Sequence, residues 1–406
     1  MNVKTTLLLV LMLLATHLGF AQVTSGAMSG IVLDNENKSL AGAIVKAIHE
    51  PSGTVYGTAT QDDGSFNLQN LRTGPYRVEI HFIGFETKIE KDILVRLGET
   101  YFLKTSMKAG GTELSEVVVK TDNPLINSQR TGASTNIGTT EINTLPTVNR
   151  NISDFTRLTP QGGPSFATSM GSSSAQFNDN SFGGRDGRYN NIQINGANFN
   201  NSFGLNSNLL PGGNAQPISL DAIEEIQVGF APYDVRQTGF TGANINAITR
   251  SGTNEIHGSA YYFFKNQSFT GMKVGDYSVP NLGSTTKNTY GIRLGGPIIK
   301  NKLFYFVNVE HEESKAPGVT YVANRGGAAG ANVSSVPADS LDKLRSFLQS
   351  KYGYDPGAYE NFANQAVNKN TKVLGRIDYN INDKNKLFVS YSYMKAQEPI
   401  TQVNAT

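Results

Sequence analysis

The side chains that could perform covalent or acid–base chemistry are few in this chain of 406 residues. Without cysteine, a nucleophile would have to be a serine or threonine activated by histidine. The histidines are His17, His49, His81, His257 and His311, and none stands at a metal-ligand spacing. No serine sits in a glycine elbow and no phosphate-binding loop is present. The sequence therefore predicts a protein that is not an enzyme and uses no cofactor.

Three aspartates near the N-terminus, Asp34, Asp62 and Asp63, could suggest a calcium site. Aspartate is also a common turn former, because its carboxylate accepts hydrogen bonds from nearby backbone N–H groups. We favour the turn interpretation, so no metal site is expected. The net charge is +2 without a clustered basic face, which argues against nucleic acid as a partner.

The chain begins with the features of a secretory signal peptide. Lys4 precedes an apolar run over residues 7–14, and Gly19 and Ala21 then form a small-x-small cleavage site. The run is too short to cross a bilayer as a helix, which takes about 20 apolar residues. A buried N-terminal helix is the less favoured alternative. We expect residues 1–21 to be removed.

Residues 27–107 have the pattern of a first folded unit. Short alternating runs are separated by turn signals at regular spacing, among them the hairpin signal Asp62-Asp63-Gly64. About 80 residues organised in this way predict a small antiparallel β-sandwich. Ala43, Val45 and Ala47 are expected to point into its core.

The same unit resembles the carboxypeptidase regulatory-like domains. The motifs that carry the resemblance are Gly30-x-Val32-x-Asp34, Leu40-x-Gly42-Ala43, Gly64-x-Phe66-x-Leu68, Gly74-x-Tyr76 and Gly84-Phe85. Members usually have Asp where this chain has Gln61. The resemblance implies a transthyretin-like or starch-binding-like sandwich without catalysis of its own. Carbohydrate binding is sometimes attached to that fold, but this chain has no tryptophan and no clear aromatic platform.

A short segment after the sandwich has the pattern of a strand that another protein could bind. Residues 113–120 read Glu-Leu-Ser-Glu-Val-Val-Val-Lys, so an acidic residue precedes three β-branched ones. Such a segment buries little by itself, but it can extend a partner's sheet through main-chain hydrogen bonds. An ordinary strand of the next domain is the alternative.

At this position the segment resembles the TonB box of TonB-dependent outer-membrane receptors. The matching residues are Glu116, Val117, Val118 and Val119. The resemblance implies that the periplasmic protein TonB, with its inner-membrane energising complex, binds them.

Residues 123–251 resemble the α+β plug domain of the same receptors. The matching features are a short helix expected over residues 151–158, the strand end Asn195-Gly196, and a closing strand over residues 241–252. Receptors usually have Asp in place of Asn195. The detailed pattern is similar to that of the Oar-like receptors common in Bacteroidetes.

Residues 178–216 of this plug-like region are dense in Asn, Gly, Ser and Phe. They predict an adaptable hydrogen-bonding surface, and the resemblance implies that part of it lies near an outward-facing ligand site. A loop that only fills the barrel lumen is an equal alternative. The candidate ligand-binding residues are Arg185, Arg188, Asn190, Asn191, Phe199 and Phe203.

Alternating strands of the outer-membrane type occupy residues 255–406. Tyr290, Ile292 and Leu294, for example, alternate with small or polar residues. The range holds about five such strands, whereas a closed barrel needs about eight. An open edge in lipid leaves backbone groups unpaired, so we expect the front end of a larger protein. A helix is expected over residues 339–351.

The sequence thus predicts a mainly β protein with an N-terminal β-sandwich, an α+β plug domain and the first strands of an incomplete transmembrane β-barrel. The implied location is the outer membrane, with lipid around the barrel strands and the sandwich in the periplasm. The expected function is TonB-dependent import of a siderophore, peptide or glycan. The alternatives are a passive outer-membrane adhesin and a soluble carbohydrate-binding module.

Overall fold

The computed structural model describes residues 23–110, 133–147, 150–164, 180–200, 216–230, 237–269, 271, 273–278, 285–315, 322–326, 333–357, 359–360, 367–383 and 385–397. The chain divides into two compact units. The first consists of residues 1–257, 295–306 and 375–390, and the second of residues 258–294, 307–374 and 391–406. Within the described ranges, no helix has the length and apolarity needed to cross a bilayer.

Seven strands at the start of the first unit form the β-sandwich. They are β1 (Gly26–Leu33), β2 (Ile44–His49), β3 (Thr54–Ala59), β4 (Ser65–Leu71), β5 (Gly74–His81), β6 (Lys88–Val95) and β7 (Thr100–Ser106). One sheet has the strand order β4-β1-β7 and the other has the order β3-β2-β5-β6. Alternate residues of both sheets point into a shared apolar core.

The core contains the side chains that the alternation predicted. Ala43, Val45 and Ala47 are fully buried, as expected. Gly30 marks the tightest point, because a Cβ there would lie 2.0 Å from the Leu103 carbonyl oxygen. A side chain at this position of β1 would therefore collide with the neighbouring strand.

Two expectations about strand pairing are wrong. β1 pairs in parallel with β7, from Ala27 opposite Thr100 to Leu33 opposite Ser106, so the sandwich is not purely antiparallel. The Asp62-Asp63-Gly64 turn is present, but β3 pairs with β2 and β4 pairs with β1. The turn therefore moves the chain from one sheet to the other instead of closing a hairpin.

Two of the three aspartates, Asp34 and Asp63, act as turn residues. Asp34 Oδ1 accepts hydrogen bonds from the Glu36 and Lys38 N–H groups, and Asp63 Oδ1 accepts one from the Ser65 N–H group. Among the described residues, no group of three or more acidic, histidine or cysteine side chains is placed to hold a metal ion.

The part of the chain that resembles a plug, which we call the plug region, contains a five-stranded sheet of order β12-β11-β14-β13-β8. Its strands are β8 (Ala133–Ile137), β11 (Asn191–Ile194), β12 (Ala197–Asn198), β13 (Ile223–Phe230) and β14 (Ala243–Thr249). Two short helices, α1 (Thr139–Thr144) and α2 (Ile152–Thr156), and a ribbon of β9 (Gly162–Pro164) and β10 (Asn180–Phe182) complete it. Every residue of β14 is buried, so this strand forms the centre of the region.

A second five-stranded sheet has the order β15-β18-β19-β22-β23. Its strands are β15 (His257–Asn266), β18 (Thr286–Ile299), β19 (Leu303–Lys315), β22 (Val367–Asn380) and β23 (Lys386–Gln397). The ribbons β16 (Lys273–Val274) with β17 (Tyr277–Ser278) and β20 (Val322–Asn324) with β21 (Val333–Pro337) lie between them in sequence, as does helix α3 (Ala338–Tyr352).

The two faces of this second sheet differ in chemistry. Tyr290, Ile292 and Leu294 are exposed on one face, as the alternation predicted. In the second unit the other face buries an ion pair, in which Lys372 Nζ lies 2.7 Å from Glu310 Oε1, and Tyr261 donates to the second oxygen of Glu310. An apolar outer face and a polar inner face are typical of strands that contact lipid on one side only.

Candidate functional site

The predicted TonB-binding residues 116–119 lie outside the described residues, within the range 111–132. The structure does describe both ends of that range. The sandwich ends at Gly110, and β8 of the plug sheet begins at Ala133. β8 is an edge strand of the described sheet and pairs only with β13. The range that contains the segment therefore leads, at Ala133, into an edge strand of the described sheet.

The predicted ligand-binding residues fall into two groups. Arg185 and Arg188 are exposed, and Arg188 donates two hydrogen bonds to the carboxylate of Asp186. Phe199 is partly buried, and Phe203 lies outside the described residues. Asn190 and Asn191, by contrast, are buried.

The two buried asparagines hold strands of the plug together. Asn190 donates to the Asn180 carbonyl oxygen and accepts from the Ala243 N–H group, at 2.8 and 2.9 Å. Asn191 donates to Asn244 Oδ1 over 3.0 Å. The hydrogen bonds of these buried amides offset the cost of removing them from water, and they fix the backbone around them. The ligand-binding role of all six residues stays a prediction.

Asn195, which stands where related plugs usually have Asp, ends β11 in a tight turn. Its φ of 51° and the 76° of Gly196 are both in the left-handed region that a two-residue type I′ turn requires. Asn195 Oδ1 accepts from both the backbone N–H and the hydroxyl of Thr249, while Nδ2 donates to Ser390 Oγ over 3.3 Å. An ionised aspartate could accept the first two hydrogen bonds, but it could not donate the third.

Four residues from three regions meet in what we call the charged junction: Arg72, Thr249, Arg376 and Asp378. Arg376 donates to the carbonyl and hydroxyl oxygens of Thr249 through Nη1, at 2.8 and 3.0 Å. Its Nε and Nη2 donate to Asp378, which also accepts from Arg72 Nη2 over 2.7 Å. One carboxylate thus connects the sandwich, strand β22 and, through Arg376, the end of the plug strand β14.

A small cavity of about 70 Å³ adjoins the charged junction. Its lining includes His49, Asn195, Glu224 and Arg376. At roughly 10–15 Å³ for each water, it has room for about five. Pockets that bind small molecules are usually about 300 Å³ or larger, so this cavity suits water and not a transported substrate.

His49 beside this cavity is a structural histidine. Burial, followed by the nearby Arg72 charge, lowers its pKa to about 3, and the hydrogen bond to the Thr73 carbonyl opposes this only in part. Because a carbonyl only accepts, His49 Nε2 carries the proton that it shares with Thr73, and Nδ1 accepts from the Ser52 hydroxyl. The ring is therefore neutral over the physiological pH range.

The turn between β6 and β7 places one sandwich residue against the plug sheet. Leu97 is fully buried. Its N–H group donates to Glu225 Oε2 over 3.1 Å, and its carbonyl oxygen accepts from Gln227 Nε2 at 2.7 Å and from Asn136 Nδ2 at 2.9 Å. We call these three plug side chains, which come from β8 and β13, the Leu97 socket.

Glu225 of the socket is buried in a way that favours its neutral form. Burial raises its pKa to about 8, while the Leu97 N–H group and the Arg96 charge oppose that rise. Glu225 Oε1 is buried without a hydrogen-bond partner among the described residues. An ionised carboxylate would therefore be poorly compensated in the socket.

Sequence reasoning did not find Arg72, Leu97 or Glu225. Each is unremarkable in its local pattern: a turn arginine, an apolar turn residue and the second of two successive glutamates in β13. The only local signal of a buried carboxylate was that Glu225 lies between Ile223 and Ile226, and both of these isoleucines are fully buried. A carboxylate within such a strand needs a polar partner from outside it.

Comparisons with known proteins match two parts of the chain to families. Residues 248–406 match the outer membrane beta barrel domain, and residues 27–108 match the carboxypeptidase regulatory-like domain. The TonB-dependent transporter Oar of Myxococcus xanthus is 26% identical over 307 residues, which are 71% of this chain and 26% of that protein. The chain therefore spans about a quarter of the length of the curated relative that it matches.

Solved structures of outer-membrane proteins are also similar to the chain. The siderophore receptor PirA from Acinetobacter baumannii matches with 19% identity and a TM-score of 0.44, over 66% of this chain and 32% of PirA. The outer membrane transporter YddB from Escherichia coli matches with 17% identity and a TM-score of 0.46, over 66% of this chain and 33% of YddB.

Proposed function

Given that this chain lies in the outer membrane and is related to the TonB-dependent receptors, we propose that it takes part in the energised import of a substrate. TonB would bind residues 116–119 from the periplasmic side and pull on them. The plug would then rearrange, and a substrate bound from outside would pass. The sandwich would lie in the periplasm.

The observation that supports this proposal best is the place where the pulled segment joins the plug. Residues 113–120 precede β8, which is held in the sheet by its pairing with β13 from Ile137 opposite Ile226 to Ala133 opposite Phe230. A force applied at Ala133 would break the hydrogen bonds between β8 and β13 one after another, starting at the Ala133 end. An edge strand can leave without breaking the centre of the sheet, where β14 is buried.

The substrate class stays open among siderophores, peptides and glycans. Within the plug, the exposed Arg185 and Arg188 and the aromatic Phe199 and Phe203 are the proposed substrate contacts. Asn190 and Asn191 would support these contacts indirectly, because their amides hold neighbouring strands of the plug together. We propose no catalytic step, and the curated relative is named as a transporter.

The alternatives account for fewer of these features. A soluble carbohydrate-binding module does not fit a chain with an outer membrane beta barrel domain. A passive adhesin would not need a strand-forming segment connected to the edge of the plug sheet. Strand addition to TonB therefore separates import from adhesion experimentally.

The test is a proline within the segment. In Val118→Pro a backbone donor is lost and φ is fixed, so strand pairing with TonB should fail. The full chain with this change should bind the periplasmic domain of TonB at least tenfold more weakly than the parent. Gln129→Pro, outside the segment, is the matched control and should bind like the parent. Equal binding by Val118→Pro and the parent would overturn the proposal.

A further inference from the structure

We propose that the sandwich is a clamp on the plug: Leu97 occupies its socket on β8 and β13, and it must leave before tension on residues 113–120 can detach β8. This inference rests on the proposed function, and it adds an intramolecular partner for the plug. The docking surface is the Leu97 socket, and its occupant is the β6–β7 turn of the same chain.

The socket is built for a backbone segment. It offers one acceptor, Glu225 Oε2, and two donors, the amides of Gln227 and Asn136, to a single residue's N–H and carbonyl groups. In a plug without the sandwich, water would make these hydrogen bonds instead. In the docked state these groups are removed from water, so each of them depends on its hydrogen bond to Leu97.

An apolar contact adds to the polar one. The Leu97 side chain packs with Val23 and Ile248, the first from the segment before β1 and the second from β14. Asn246, also on β14, donates to the Val23 carbonyl oxygen. The sandwich therefore contacts three adjacent strands of the plug sheet, β8, β13 and β14, within one small area.

The close approach depends on a glycine. Gly98 has a φ of 65°, and a Cβ on it would lie 2.5 Å from Gln227 Nε2. Gly84, in another turn of the sandwich, has a φ of 83° but would meet nothing within 4 Å. The two glycines share the same backbone requirement, while only Gly98 lies against the plug.

The clamp acts on the strand where the force enters. Asn136, three residues after the start of β8, donates to Leu97, so β8 is held by β13 and by the sandwich together. The sandwich is also tied to strand β22, because Arg72 pairs with Asp378. Residues 113–120 lie between Gly110 and Ala133, so tension on them loads the clamp and the strand that it holds.

The first experiment measures docking. The chain has no native cysteine, so Ile248→Cys supplies a single thiol that Leu97 covers. In the full chain we expect Gly98→Ala to raise the maleimide labelling rate of this thiol at least tenfold. Gly84→Ala carries the same left-handed strain and should label at the parent rate. Equal rates in the two variants would overturn the docking on which the clamp depends.

The second experiment measures force. A handle attached through Glu116→Cys, without Ile248→Cys, allows the full chain in detergent to be pulled from the segment against an anchor at the C-terminus. The first rupture force should fall in Gly98→Ala and stay at the parent value in Gly84→Ala. Leu97→Asp, which puts a second carboxylate beside Glu225, should lower it as well. Unchanged rupture forces in both Gly98→Ala and Leu97→Asp would overturn the clamp, while TonB binding by the parent chain would leave the proposed function standing.

Discussion

The Arg72 guanidinium of the sandwich donates to the carboxylate of Asp378 on strand β22 across 2.7 Å, although 306 positions separate the two residues in the chain. The same carboxylate accepts from Arg376, which in turn donates to Thr249 at the end of the plug strand β14. A single aspartate therefore connects sandwich, plug and membrane strand. The Leu97 socket forms a second connection between sandwich and plug.

Replacing this aspartate should loosen the sandwich. Asp378→Asn removes the negative charge that both Arg72 and Arg376 contact. Breaking a buried ion pair by removing one partner costs about 3–5 kcal/mol. In the full chain we expect faster maleimide labelling of the thiol of Ile248→Cys. Asp383→Asn, in the exposed turn after β22, is the control. If both variants label at the same rate, the ion pair does not hold the sandwich.

The sandwich should fold by itself. Its core cluster is drawn entirely from residues 28–107, and all strands of both sheets lie within residues 26–106. About 80 residues are enough for one apolar core. A fragment of residues 23–108 should show a single cooperative thermal transition by circular dichroism. A featureless melt with random-coil amide shifts would contradict this.

A methyl group on Gly30 should destabilise that fragment. The Cβ of Gly30→Ala would lie 2.0 Å from the Leu103 carbonyl oxygen and 2.6 Å from the Phe66 ring. Overpacking of this kind costs about 1–3 kcal/mol. Gly57→Ala on strand β3, where the nearest atom is 4.0 Å away, should be close to neutral. Urea unfolding of the two variants measures the difference, and equal midpoints would count against the packing described for β1.

The sandwich should lose stability in mild acid because of His49. Its pKa is about 3 in the folded state against 6.5 when unfolded, so the unfolded state binds the additional proton between these values. The contribution of the neutral His49 ring to the stability of the sandwich is complete above pH 6.5, and it is lost as the pH falls toward 3. Between pH 7 and pH 5 the loss should be about 2 kcal/mol.

The measurement is the thermal midpoint of the 23–108 fragment, which should fall by roughly 10 °C over that pH interval. His49→Gln should flatten the dependence. His81→Gln, at a partly exposed histidine on β5, is the control and should retain it. A pH response that survives in His49→Gln would assign the effect to other groups.

Docking of the sandwich should weaken as the pH rises. Glu225 has a pKa of about 8 in the socket against 4.5 when exposed, so the docked state holds an additional proton between these values. Docking is therefore at full strength below pH 4.5 and weakens up to about pH 8. Arg96, Glu99 and Glu224 are the charged groups that act on Glu225, and burial outweighs them.

From pH 6 to pH 8 the change in the free energy of docking should be about 2 kcal/mol. We expect the labelling rate of the thiol of Ile248→Cys, corrected for the ionisation of a free thiol, to rise over this range. The same rate in Glu225→Gln should be flat, because the amide does not titrate. A rise of equal size in both would show that another group controls docking.

Much of the local structure was determined by the sequence, because it depends on periods of two and on turn chemistry. The burial of Ala43, Val45 and Ala47 and the exposure of Tyr290, Ile292 and Leu294 follow from the alternation of side chains along a strand. The resemblance indicated a strand end at Asn195-Gly196, and the structure has a turn there in which both residues have a positive φ. Helix α3, expected over residues 339–351, spans Ala338–Tyr352.

Only the tertiary structure decided which of these strands and surfaces meet. β1 pairs in parallel with β7, and β3 and β4 lie in different sheets. Because these strands share the same alternating pattern, the pattern does not specify which of them pair. The contacts of Arg72 with Asp378 and of Leu97 with Glu225 join residues 306 and 128 positions apart. In both contacts the interaction between the partners must offset the cost of removing them from water at one place, and no local pattern specifies that place.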